Sequence, residues 1–267
     1  MTAYCHGDHM TTARGRVYCE IEGSGSPVVI VPGGPRAGHA HYHPWFSRLA
    51  DRHTVAYFDQ LGTGASERLP DRHGYSVELY ADTVRQVIAY AGHGRAHLIG
   101  VSFGGVAAAE LAAVRPELVA SLVPVDAQVD AQGWQASNID NMNHQIRTQY
   151  PELWRELMSL LAAGVSSGDT SYQAIIGSAV DSLERAGLDP VDLHRPEGYE
   201  FDAGTYVSFL GPDPEWEVGG ALRGHTVLDR LARHDLPTLV VTGRHDRIAT
   251  ALELPADNVL RVERIAH

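Results

Sequence analysis

The sequence predicts an α/β fold with a mostly parallel sheet of about eight strands and a helical segment inserted late in that sheet. Three observations carry this expectation. Short apolar, β-branched runs recur, such as residues 27–32 (PVVIVP), and they close on glycine or polar turns. Runs of that kind suit strands covered on both faces, as in parallel sheets. Stretches with helical spacing alternate with them. From residue 127 to 222 the alternation stops, and a polar, helix-like block without any buried-strand run replaces it.

The elements follow in order. Residues 16–22 alternate and predict an antiparallel starter strand. Residues 27–32 form the first buried strand and end at Gly33 and Gly34. Residues 53–59 (HTVAYFD) form the next, ended by Gly62 and Gly64. Residues 76–90 place Val77, Tyr80, Val84, Val87 and Ile88 at helical spacing. Residues 96–101 (AHLIGV) predict a strand, 103–114 an alanine-rich helix and 118–125 another strand. After the block come a helix over 226–233, a strand over 236–242 (LPTLVVT) and a strand over 258–265. The reading is a core domain of residues 1–126 and 223–267, with 127–222 as a helical cap. The helix that ordinarily covers the last strand of such a sheet is expected to be missing.

Composition narrows the chemistry. The chain has 267 residues and a formal charge of −12, and all 21 of its basic side chains are arginine. Without lysine there is no Schiff-base nucleophile, no pyridoxal-phosphate anchor and no phosphate loop. The excess of acid, 33 carboxylates, argues against a nucleic-acid partner. No apolar run reaches the roughly 18 residues of a membrane span. The N-terminal residues lack the apolar stretch of a signal peptide. Cys5 and Cys19 are too few for a disulfide framework or a cysteine zinc site. A cytoplasmic protein without metal or membrane partner is expected. The acidity is uneven: residues 127–222 hold 15 Asp/Glu and 4 Arg, the remainder 18 and 17. Solvated helix faces account for that in the simplest way. A negative field drawing in a cationic amine is the functional alternative.

The pattern Gly-x-Ser-x-Gly occurs twice, at Gly100–Gly104 around Ser102 and at Gly164–Gly168 around Ser166. A nucleophile elbow needs a strand, a very tight turn and then a helix, with glycines where side chains would collide. Ser102 has that context. Ser166 follows a helical stretch and precedes a polar loop, so Ser102 is the candidate nucleophile. In this chemistry the chain order is serine, acid, histidine. His267 is the histidine that follows the strand over 236–242 and its loop, and it is the candidate base. Asp246, in Thr242-Gly243-Arg244-His245-Asp246, is the candidate orienting acid, with Asp126 as the fallback. Two backbone donors must hold the oxyanion. The amide of Phe103 is one. The other comes from Gly33-Gly34-Pro35, where Pro35 has no N–H and Gly34 is the better donor.

These motifs, in this order, resemble the α/β-hydrolase family and, within it, the proline iminopeptidase group. Pro32-Gly33-Gly34-Pro35 resembles the group's His-Gly-Gly-Pro-Gly oxyanion loop. Residues 59–66 (DQLGTGAS) resemble its Asp-Gln-Arg-Gly-x-Gly-x-Ser. Gly100–Gly105 resembles its Gly-Gly-Ser-Trp-Gly-Gly elbow, with Phe103 for the tryptophan. Phe209-Leu210-Gly211-Pro212, then Glu215-Trp216 and Gly219, are similar to a segment late in the group's cap. The resemblance implies removal of an N-terminal residue, often proline, from short peptides, without metal or organic cofactor. It also implies that cap carboxylates hold the substrate's ammonium, with Glu215 at one such position and Trp216 beside it. The sequence departs from the group at Pro32, Arg36, Leu61 and Arg247. An esterase or lactone hydrolase, and a non-hydrolytic lyase, cyclase or inactive binding protein, are the alternatives on the same fold.

Two further features carry less. His39, His41 and His43 alternate in a loop; zinc would need a third well-placed ligand and closed geometry, so a polar loop is the expectation. Gly62-x-Gly64 lacks the third glycine of a dinucleotide fingerprint.

Overall fold

Among the described residues eight strands form a sheet: β1 (Asp8–Thr12), β2 (Gly15–Gly23), β3 (Ser26–Val31), β4 (His53–Phe58), β5 (Ala96–Val101), β6 (Val119–Val125), β7 (Thr238–Gly243) and β8 (Val259–Ile265). The structure is a computed structural model and describes residues 7–35, 38–92, 94–185, 203–243 and 259–265. The strand order is β1-β2-β4-β3-β5-β6-β7-β8. β2 runs antiparallel to both β1 and β4, and every other pairing is parallel.

The run PVVIVP behaves as its composition requires. Val29 and Val31 face one core, shared with Phe58, Val84, Leu98 and the helices of that side. Val28 and Ile30 face the other, with Tyr42, Val55 and Tyr57. Both faces are covered, so an unbroken apolar strand costs nothing in exposed surface.

Helix α1 (Val77–Tyr90) begins where Ser76 accepts the Leu79 N–H at 3.1 Å, an N-cap on the predicted boundary. Its buried face holds Val77, Tyr80, Val84, Val87 and Ile88, the predicted set. Helix α2 (Gly104–Val114) is buried from Gly104 through Ala112, so small side chains on every face let it pack closely. The register brings the carboxyl ends of the strands together: Val101 pairs with Val125, Val125 with Val241, and Gly243 with Ile265. Open α/β sheets bind their ligands along this edge.

Between β6 and β7 the described chain is helical: α3 (Ala131–Trp134), a π-helical turn (Gln135–Asn141), α4 (Met142–Gln149), α5 (Pro151–Ala162), α6 (Thr170–Arg185) and α7 (Ala203–Leu210). Met142, Ile146, Leu157, Tyr172, Ile176 and Ala179 form a separate core there, with Trp154 and Trp216 against it. Trp134, Ile139, Phe209, Leu210 and Leu222 instead join the main core. A short helix α8 (Leu228–Leu231) precedes β7.

One strand lies outside the expected elements, and one element is shorter than expected. β1 is not visible in the sequence pattern, because in DHMTT only Met10 is buried, at the sheet's edge. The helix before β7 covers Leu228–Leu231 rather than the longer span expected from 226 to 233.

Candidate active site

Ser102 follows the last residue of β5 and precedes α2. Its φ is +50°, in the left-handed region that non-glycine residues seldom occupy. The turn is held by two backbone hydrogen bonds: the Ser102 N–H donates to the Val125 carbonyl (2.9 Å), and the Gly105 N–H donates to the Ser102 carbonyl (2.9 Å). The glycines are steric necessities. A Cβ on Gly100 would stand 2.7 Å from the Gly105 Cα, and one on Gly105 would stand 2.5 Å from the Ala127 Cβ. A Cβ on Gly104 would be driven into the Val31 carbonyl oxygen, a backbone atom fixed in the sheet. Gly104→Ala is therefore expected to destabilise the fold by about 3 kcal/mol, read as a lower urea midpoint at unchanged slope.

The second Gly-x-Ser-x-Gly has no such geometry. Gly164 ends the turn after α5, and the Ser166 carbonyl accepts the Asp169 N–H at 3.1 Å in the loop leading to α6. Its neighbour Ser167 is the buried one, and its Oγ accepts the Glu215 N–H at 3.2 Å.

The candidate oxyanion loop lies beside the elbow. A Cβ placed on Gly33 would be 3.2 Å from the Ser102 Cβ. The Gly33 N–H donates to the Tyr42 hydroxyl at 2.7 Å and is committed there, as the Ser102 N–H is to Val125. Gly34, at φ +125°, and Phe103 follow these committed amides directly. The Phe103 ring is buried in an aromatic cluster with Tyr80, Trp134 and Phe209 at centroid distances of 6.3, 5.4 and 4.9 Å. That packing anchors the residue whose amide is the candidate oxyanion donor.

Asp246 and His267 lie outside the described residues. The strands that precede them end as neighbours, with Gly243 paired to Ile265. Asp126 is described. It follows β6 at φ +43°, its N–H donates to the Val241 carbonyl (2.9 Å), and its Oδ1 accepts the Gly243 N–H (2.8 Å). This carboxylate holds the last residue of β7, three positions before Asp246 in the sequence.

Glu215 is 1% exposed. Its Oε1 accepts from Gln173 Nε2 (2.7 Å) and from the Tyr206 hydroxyl (3.0 Å), and its carbonyl accepts from Asn143 Nδ2 (2.6 Å). Trp216 donates its indole N–H to the Tyr172 hydroxyl at 3.1 Å, and its ring lies 5.7 Å from that of Trp154, tilted by 56°. The sequence motif pointed to Glu215 and Trp216, but Asn143, Gln173 and Tyr206 carry no motif of their own. Only the fold brings them to Glu215.

The alternating histidines meet carboxylates. His39 Nδ1 lies 2.8 Å from Asp59 Oδ1 and its Nε2 lies 3.2 Å from Glu20 Oε1, while His43 Nε2 lies 3.1 Å from Glu20 Oε2. Burial alone would lower the His39 pKa, but hydrogen bonds to Asp59 and Glu20 outweigh it and raise the pKa to about 9. For Glu20, burial works upward, and the bonds from His39, His43 and Tyr18 outweigh it, holding the carboxyl well below the usual carboxylate range. Among the described residues no group of three or more His, Cys, Asp or Glu is arranged to hold a metal ion. Asp59 also accepts the Ala65 N–H at 2.7 Å, and a Cβ on Gly64 would run into its carboxylate. The Asp-Gln-x-Gly-x-Gly pattern is thus a backbone turn wrapped around a buried acid.

Comparison with known proteins agrees with this architecture. The family model described as the alpha/beta hydrolase fold matches residues 26–166. A 2-(acetamidomethylene)succinate hydrolase of Mesorhizobium japonicum is 28% identical over 264 residues, covering 91% of each chain. A proline iminopeptidase of Lactobacillus delbrueckii subsp. lactis is 26% identical over 242 residues, covering 86% of this chain and 79% of the relative. Among solved structures, the proline iminopeptidase of Mycobacterium smegmatis superimposes with a TM-score of 0.67 at 25% identity, covering 91% of this chain and 83% of the other. The strained serine between strand and helix, the sheet order and the matched family model lead to one conclusion: the chain belongs to the α/β-hydrolase fold family and resembles its proline iminopeptidase group.

Proposed function

We propose that this α/β hydrolase is a cofactor-free serine hydrolase acting on small peptides or amides with a free amine. The observation that carries the reading is Ser102, held at φ +50° on an elbow whose glycines admit no side chain, beside the glycine loop at Gly33. Ser102 attacks the carbonyl, His267 takes its proton and returns it to the leaving amine, and Asp246 orients the imidazole. The amides of Gly34 and Phe103 hold the oxyanion. Residues 127–222 act as a lid, and Glu215 within it receives the substrate's ammonium. Trp216 lines the adjoining apolar wall.

A buried carboxylate that accepts from the neutral donors Gln173 and Tyr206 favours a cation over an anion beside it. The relative of matching length is named for a succinate derivative with an acetamido group. An acidic lid with Glu215 inside disfavours such a dicarboxylate here. An ester or lactone substrate, needing no ammonium site, is the second reading, and it shares Ser102 and the oxyanion loop.

The test compares proline and alanine arylamides with short-chain aryl esters. Glu215→Gln is expected to lower kcat/KM for the arylamides about 100-fold, as loss of a charged hydrogen bond of roughly 2–3 kcal/mol implies. Ester turnover should change by less than about threefold. Activity on esters alone in the unaltered protein would discard the amine-bearing substrate. For amine substrates kcat/KM should also fall as salt screens the lid.

A further inference from the structure

We propose that the His39–His43 turn is a clamp on the oxyanion loop: Tyr42 takes the Gly33 N–H, and the Glu20 and Asp59 carboxylates pin the histidines on either side of it. Tyr42 is thereby a positioning residue, acting on the reaction through the peptide that precedes Gly34. The inference rests on the serine-hydrolase reading for its catalytic consequence but not for the clamp itself.

The geometry builds up from β2 and β4. Glu20, on β2, offers one carboxylate oxygen to each ring, His39 at 3.2 Å and His43 at 3.1 Å. Tyr18, on the same strand, donates its hydroxyl to Glu20 Oε1 at 2.7 Å. Asp59, just after β4, accepts both the His39 N–H (2.7 Å) and its ring (2.8 Å). Both nitrogens of His39 face carboxylates, so the doubly protonated ring is the form that fits. Below, the His43 ring lies 4.1 Å from that of Tyr57 on β4. The short 3₁₀ turn His39–Tyr42 between these anchors has little freedom left. It ends in Tyr42, which is buried against Val28, Ile30 and Phe46 with its hydroxyl on the Gly33 N–H at 2.7 Å.

The consequence is selective. An oxyanion donor must point at the place where charge develops, and it works best when its orientation is fixed beforehand. With the Gly33 N–H engaged by Tyr42, the loop has one committed amide, and the next, that of Gly34, is left for the oxyanion. Removing the hydroxyl frees the Gly33 peptide to rotate, which misaligns the Gly34 donor without altering any substrate contact. Such a change appears in kcat rather than in KM.

Tyr42→Phe keeps the buried ring and removes the hydroxyl that accepts the Gly33 N–H. Two measurements are made on it and on His39→Gln. One is residue-resolved amide exchange of Gly33. The other is kcat and KM for 4-nitrophenyl butyrate. Tyr42→Phe is expected to speed Gly33 exchange about tenfold and to lower kcat about tenfold, with KM within twofold. His39→Gln should move both in the same direction. Unchanged Gly33 exchange in Tyr42→Phe overturns the clamp. Faster exchange with unchanged kcat overturns its role in positioning the donor, and a response to Tyr42→Phe but not to His39→Gln overturns the part given to the carboxylates. If the unaltered protein leaves both this ester and the proline and alanine arylamides intact, the serine-hydrolase reading fails separately, and Gly33 exchange alone decides the clamp; if it cleaves only the arylamides, kcat and KM are read on those.

Discussion

Ser102→Ala is expected to remove on the order of 10⁴-fold or more of kcat and to abolish covalent labelling by a fluorophosphonate. The size follows from what the hydroxyl supplies. In the proposed mechanism its oxygen forms the acyl intermediate, and the oxyanion donors alone leave only a residual rate over water. The adduct is located by peptide mass: in the unaltered protein it should fall on Ser102 and spare Ser166. An adduct elsewhere, or none on folded protein, would refute the assignment. The same position makes a second, independent statement about stability. Serine at φ +50° stores backbone strain of about 1 kcal/mol, which glycine does not incur. Ser102→Gly should therefore be inactive yet melt about 2–4 °C higher than Ser102→Ala.

How far the sequence disclosed all this depended on the range of the interaction. The elbow was legible because everything it needs is local: β5, three glycines and α2 lie within twenty residues of one another. The buried strands were legible because β-branched runs covered on two faces look the same wherever the chain places them. β1 was not, since an edge strand with one buried side chain leaves almost no pattern. The histidine turn was visible as HAHYH, but its partners were not. Glu20 lies on β2 and Asp59 after β4, and only the antiparallel pairing of those strands brings the two carboxylates to one loop. The surroundings of Glu215 were hidden for the same reason: Asn143, Gln173 and Tyr206 come from three helices of the block between β6 and β7. Motifs mark chemistry that a local turn can hold; long-range polar contacts leave no such mark.

The acid of the triad is decided by two isosteric substitutions. Asp246→Asn is expected to lower kcat about 10⁴-fold, because an amide cannot hold the imidazole in the tautomer that accepts the serine proton. Asp126→Asn should cost about tenfold or less. The role read for Asp126 is to accept the Gly243 N–H at 2.8 Å, and an asparagine carbonyl accepts it as well. Asparagine also tolerates the left-handed backbone that Asp126 adopts at φ +43°. Asp126→Ala is the informative third variant. It loses the acceptor and keeps the strain, so it should destabilise the protein by about 2 kcal/mol and loosen the end of β7. Its activity loss would then come from misplacing Asp246. The reverse pattern, a 10⁴-fold loss in Asp126→Asn with Asp246→Asn nearly unimpaired, would move the acid from the end of β7 to the end of β6. The strands before the two candidates are neighbours, with Val125 paired to Val241, so either assignment keeps the nucleophile and the oxyanion loop where they are.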